Sequence, residues 1–184
     1  YFHRVTRVTE VMLSRAVERS SDQMPDSVDL QRRVDAEIWE ALGNSSDYAR
    51  DMIRRLKYRQ LLKVCASRRR EELSEAQVKQ LFELATNADS RRQFEDDMAH
   101  RAGVPPGYVA VDFPDAKLLL AEPRMSQVDV RIMGDDGRTR WFREHTPIAE
   151  ALRTRQVSQS AVYVITLPGH ESTVAQLAER HLFG

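Results

Sequence analysis

A single cysteine, Cys65, rules out any disulfide within the chain and makes a reducing, cytoplasmic compartment the expectation. No apolar run approaches the roughly 18 residues of a membrane span, so no membrane partner is expected. The metal signatures CxxC, HExxH and an adjacent His-Asp pair are all missing. The histidines (His3, His100, His145, His170 and His181) are scattered, and none has a second ligand three or four residues on. Glycines are few and fall mostly at turns, with neither a GxxxxGK phosphate loop nor a GxGxxG run. These absences exclude a self-contained metal centre and a P-loop nucleotidase. No catalytic residue and no metal ligand is therefore assigned.

What remains is a globular chain of 184 residues, enough for one ordinary domain or a domain with a small appendix. It opens at Tyr1 inside a helical pattern with no capping residue ahead, so upstream sequence is expected. Residues 1–20 read as an amphipathic helix with Val5, Val8, Met12 and Ala16 on one stripe, widened by Leu13 and Val17. Asp26 or Ser27 caps a second helix carrying Leu30, Val34, Ile38 and Leu42, with Gly43 at its left-handed end. Ser45 or Ser46 caps a third, expected to run to about Ala66. Ser74-Glu75-Ala76-Gln77 has the form of a capping box and opens a fourth. Asp89 or Ser90 opens a fifth, stopped by Gly103 and Pro105-Pro106.

Beyond residue 103 the texture changes. Tyr108–Phe113 is β-branched and aromatic, Val128–Met133 alternates, and Gly134–Gly137 forms a turn into Arg138–Phe142. Thr146-Pro147 starts a short helix to about Arg155, Ser160–Leu167 reads as a strand, and Glu171–Leu182 as a closing helix. The expected fold class is α+β: a five-helix N-terminal part, residues 1–103, then a small antiparallel sheet with two helices, residues 104–184.

Formal charge sums to zero but is unevenly spread, with eight basic residues and no acid from Arg54 to Arg70. Arg55, Arg59 and Lys63 recur at i, i+4 and i+8, which on a continuous helix lines one face with cations. Such a row suits a triphosphate or a nucleic-acid backbone. The competing reading is a solvated face neutralised by acids from elsewhere, such as Glu71-Glu72 or Asp47 and Asp51. Arg68-Arg69-Arg70 reads as a loop or frayed end. The carboxylate pairs Asp135-Asp136 and Asp96-Asp97 read as turn and helix-surface residues rather than metal ligands.

Two segments resemble the HD-domain dNTP triphosphohydrolases. Tyr1-Phe2-His3-Arg4-Val5 is similar to that family's Tyr-x-His-Lys/Arg-Val segment, and Lys57-Tyr58-Arg59-Gln60-Leu61-Leu62-Lys63 to its Tyr-Arg-x-Leu-Phe-Lys segment. They occur in the family's order, with a helix between them and a mixed α+β tail behind. The resemblance implies a substrate contact at Tyr1 and effector-phosphate contacts at Arg4, Arg59 and Lys63, with His3 close by. Arg55 joins them through the basic row. It also implies a divalent metal in the parent HD site, whose ligands would lie upstream, and no cofactor in this segment. Phe2 departs from the glutamine of mammalian members, and Arg131 and Met133 stand where regulated members place a lysine.

Three functions are therefore open. The chain is the accessory, regulatory and assembly region of a metal-dependent HD phosphohydrolase that binds GTP or a dNTP; or a homo-oligomerising interaction module; or a nucleic-acid binder through residues 54–70. By itself it is expected to hydrolyse nothing.

Overall fold

The computed structural model describes residues 4–20, 32–113, 131–133, 137–141 and 160–184. Helix α1 (Arg4–Glu18) is followed by α2 (Asp35–Ser45) and α3 (Asp47–Lys57), then strand β1 (Lys63–Arg69) and a 3-10 turn, Arg70–Glu72. Next come α4 (Glu75–Thr86), α5 (Ala88–Ala102), β2 (Val109–Asp112), the pair β3 (Arg131–Met133) and β4 (Thr139–Trp141), β5 (Ser160–Thr166) and α6 (Glu171–His181). The α+β class holds, with six α-helices and a small antiparallel sheet among the described residues.

That sheet has the order β1-β5-β2, with β5 antiparallel to both neighbours. Its β5 sequence, Val162-Tyr163-Val164-Ile165, is apolar at consecutive positions rather than alternate ones. A strand reads that way when both of its faces are covered. Val162 and Val164, with Val109 and Val111 of β2, enter one core built with Val78, Leu81, Leu84, Met98, Val174 and Ala178 of α4, α5 and α6. Tyr163 and Ile165, with Ala110, enter a second core built with Val8, Met12, Ala16, Leu42, Ala49 and Met52 of α1, α2 and α3. The architecture is helices, sheet, helices. Each fully buried Val, Leu or Ile contributes about 1.5–3 kcal/mol, so the shared strand carries much of both layers.

The largest departure from the sequence reading lies between the third and fourth helices. A helix was expected to reach Ala66, but α3 ends at Lys57 and residues 63–69 form an edge strand. Val64, Cys65 and Ala66 are β-compatible, and pairing with β5 buries Ala66 and part of its neighbours. Tertiary pairing overrides the local helical spacing. Arg68 and Arg69 accordingly belong to β1 and Arg70 starts the 3-10 turn, rather than forming a loop. The five N-terminal helices are thus not a continuous bundle, and the sheet draws strands from either side of residue 103.

Smaller differences have local causes. Gly43 lies inside α2, which continues to Ser45, so it is no left-handed cap. Val5, expected on the buried stripe of α1, is 51% exposed, and the buried face is Val8, Val11, Met12, Arg15 and Ala16. Asn87, not Asp89 or Ser90, caps α5, its Oδ1 accepting from the N–H groups of both. The Ser74 capping box, the Ser46 cap of α3 and the Gly103 stop, with φ of 67°, are as read. The Asp26 or Ser27 cap and the Thr146–Arg155 helix lie outside the described residues.

Candidate phosphate-contacting site

Helix α3 carries Arg54, Arg55 and Lys57 in its last turn, where cations complement the partial negative charge of the helix end. It terminates in a Schellman turn. Gln60 N–H donates to the Arg55 carbonyl at 2.8 Å, and Arg59 N–H donates to the Leu56 carbonyl at 3.2 Å. Arg59 is the left-handed residue of that turn, with φ of 56°, and no other non-glycine described residue has a positive φ. Glycine is the usual occupant, because a Cβ in this conformation costs roughly 1–2 kcal/mol.

This turn redirects the basic row. Arg55 sits on the last turn of α3, Arg59 in the cap and Lys63 at the first position of β1, so the three do not share a helix face as expected. They follow one another along a short connection instead. Arg4, at the start of α1, is exposed, and α1 packs against α3 and touches β1. Tyr1 and His3 lie outside the described residues.

Neutralising acids reach most of the basic stretch. Asp51 receives Arg54 Nη2 on Oδ1 and Arg55 Nε on Oδ2, both at 2.5 Å. Glu179 takes Arg68, Glu71 and Glu72 take Arg69, and Glu75 takes Arg70. Lys57 lies over the Tyr58 ring, 5.8 Å from its centroid. Arg59 and Lys63 are exposed and have no partner among the described residues. The solvated-face reading therefore describes the ends of the stretch but not these two residues.

Behind Arg55 lies a polar cluster that the sequence did not reveal. Tyr108 Oη donates to Asp51 Oδ2 at 2.7 Å, and the Arg55 guanidinium lies 5.6 Å from the Tyr108 ring centroid. Tyr48 packs edge-on against Tyr108 and donates to the Gly107 carbonyl at 2.9 Å. Gly107, at φ of 86°, has no room for a side chain: a Cβ would stand 2.6 Å from the Tyr48 ring. Burial opposes the charged form of Asp51, but the hydrogen bonds from Tyr108, Arg55 and Arg54 outweigh it and hold the carboxyl below its ordinary value of 3.8. Burial, and then the Asp51 hydrogen bond, push the Tyr108 hydroxyl up to about 12.

A second charged centre lies on the opposite helical layer's border. Glu95 of α5, 1% exposed, accepts Arg15 Nη2 at 2.7 Å and the Val111 N–H at 2.8 Å. Arg15 also donates to both oxygens of Glu18, and Arg91 reaches Glu18 at 3.0 Å. Arg7 holds Asp112 through two hydrogen bonds, 2.6 and 3.1 Å long. Arg7, Arg15, Glu18, Arg91 and Asp112 border a cleft of about 380 Å³ with Ser14 and Phe113. Arg15 stood in plain view on the apolar face of α1, between Met12 and Ala16, and was the available signal for this network.

Among the described residues no group of three or more His, Cys, Asp or Glu side chains could hold a metal ion. Asp96 is engaged by Arg19 and the Gly107 N–H, and Asp97 by Arg101. Asp135-Asp136 lies outside the described residues.

The sequence pattern of the HD associated region matches residues 1–183. The chain belongs to that family. As an HD-associated region it is an accessory part of an HD-domain protein, which is the coarser part of what its two short motifs implied. A search of curated proteins found no match. No described helix of this HD-associated region is long and apolar enough to cross a membrane.

Proposed function

We propose that this HD-associated region supplies phosphate contacts to a nucleotide, GTP or a dNTP, within an HD-domain phosphohydrolase, through Arg59 and Lys63, with Arg4, His3 and Arg55 contributing. Tyr1 would face the substrate. The observation that carries the reading is the arginine in the Schellman turn. A glycine there would relieve strain, so an arginine at that backbone position argues for a task performed by its side chain. That its guanidinium and the Lys63 ammonium have no acid partner among the described residues, while five neighbouring arginines do, supports the same conclusion.

The test is Arg59→Ala with Lys63→Ala in the full-length protein, titrated with GTP and dNTPs by calorimetry. Each charge-assisted phosphate contact is worth about 1.5–3 kcal/mol, so affinity should fall by orders of magnitude. Lys79→Ala with Arg180→Ala, two exposed cations elsewhere, is the charge-matched control. Unchanged binding in the first pair removes the site. Equal weakening in both pairs reduces it to general charge and favours a nucleic-acid surface, whose affinity would then drop steeply with salt.

The interaction-module reading draws on one feature. Val5 on α1, Val34 just before α2 and Trp39 on α2 are exposed at 51%, 64% and 37%. Sedimentation of the purified chain should show a homo-oligomer, and Trp39→Glu should dissociate it if that surface forms the contact.

A further inference from the structure

Arg55 presents a guanidinium that is fixed from behind and open in front. Its Nε donates to Asp51 Oδ2 at 2.5 Å, and its Cζ lies over the Tyr108 ring, 5.6 Å from the centroid. Beyond Asp51 it interacts with the Tyr108 hydroxyl, and its terminal nitrogens Nη1 and Nη2 hydrogen-bond no carboxylate among the described residues, although the side chain is only 21% exposed. Asp51 Oδ2 is in turn held by Tyr108 Oη at 2.7 Å, while Oδ1 takes Arg54. A planar fork immobilised through Nε and one face binds a tetrahedral oxyanion bidentately with little ordering cost.

We infer that Asp51 and Tyr108 are positioning residues that aim the terminal N–H groups of Arg55 at a phosphate of the nucleotide contacted by Arg59 and Lys63. The inference rests on the phosphate-contact reading above and adds a third cation together with the device that orients it. The backbone supports the placement: the Arg55 carbonyl accepts the Gln60 N–H, so Arg55 and Arg59 belong to the same Schellman turn. Tyr108 sits just after Gly107, the position at which a Cβ would collide with Tyr48, so the loop that presents its hydroxyl is sterically defined. Simple electrostatics and positioning make opposite forecasts here. Asp51 is an anion beside two arginines, and deleting its charge raises the local positive potential.

The experiment titrates inorganic tripolyphosphate into the full-length protein by calorimetry. Asp51→Asn should weaken binding about tenfold, the equivalent of one charge-assisted contact, despite the gain in positive charge. Tyr108→Phe, which removes one oxygen and keeps the ring under Arg55, should weaken it less. Tyr48→Phe, which removes the α3 hydroxyl that donates to the Gly107 carbonyl of the same loop, should leave affinity unchanged. In an Arg55→Ala background the Asp51→Asn effect should vanish, because the two residues act through one contact. Tighter binding by Asp51→Asn, or an equal loss with and without Arg55, overturns the inference. If Asp51→Asn fails to fold, the contrast between Tyr108→Phe and Tyr48→Phe decides alone. Should Arg59→Ala abolish binding while Arg55→Ala does nothing, only this inference falls. Should neither matter, the phosphate site itself falls.

Discussion

The two arginine-rich regions of this molecule have opposite electrostatic designs. Around Glu95, Arg7, Arg15 and Arg91 each meet carboxylates, in a setting where Glu95 is almost wholly removed from water. Along the α3–β1 connection, Arg59 and Lys63 stand exposed with no acid partner among the described residues. The first set is closed and holds α1, α5 and β2 together. The second is open, so its charge is free to act on something outside the chain. Arginine content alone does not separate structure from function; the pairing does.

The comparison breaks most visibly at Glu95. Glu95→Ala removes the buried carboxylate that accepts from Arg15 and from the Val111 N–H, leaving Arg15 only the partly exposed Glu18, and should cost about 3–5 kcal/mol in chemical denaturation, typical of breaking a buried pair from one side. Arg59→Ala with Lys63→Ala should shift the same denaturation midpoint by less than about 0.5 kcal/mol, since exposed cations without partners hold nothing together. A loss of several kcal/mol from that pair would erase the distinction between the regions.

Arg59→Gly sharpens the contrast further. It should raise stability by up to about 1 kcal/mol by removing the Cβ from a left-handed residue, while weakening nucleotide binding. Gains and losses of opposite sign in one variant would separate the backbone role of this position from its side-chain role.

Titration of single carboxyls gives the smallest and most local test. Burial pushes Glu95 above its ordinary value of 4.5, with Arg15 opposing, whereas Asp51 lies below 3.8. NMR should show both displacements, in opposite directions. The signs differ in consequence. Asp51 contributes stability that is fully present above 3.8 and is lost as pH falls through its lowered value. Glu95 holds its proton more tightly in the folded state, so its contribution declines as pH rises from 4.5 towards its raised value.

Much of this was legible in residue patterns, for reasons that particular elements make clear. The capping box at Ser74, the stop at Gly103 and the apolar strand of β5 depend on neighbours in sequence, and each was read correctly. The strand β1 was not, because its identity comes from pairing with residues about a hundred positions later, as Lys63 opposite Thr166 illustrates. The site divided in the same way. The resemblance picked out Arg59 and Lys63, and their lack of acid partners among the described residues fits that choice, but the reason offered, a shared helix face, was wrong. Tyr108 and Glu95 carried no local signal, since their partners Asp51 and Arg15 lie 57 and 80 residues away.

The position of β5 at the centre of the sheet has a consequence for biosynthesis. Both layers of helices precede it, except α6, yet the surface on which they pack is completed only by residues 160–166. As the chain leaves the ribosome, α1 to α5 and two edge strands emerge with their apolar faces uncovered, and the strand that unites them comes after all of these. Contacts of such long sequence separation slow folding and lengthen the interval in which those faces are open to other chains. A nascent chain halted before residue 160 would therefore be a client for chaperones rather than a smaller version of the same fold.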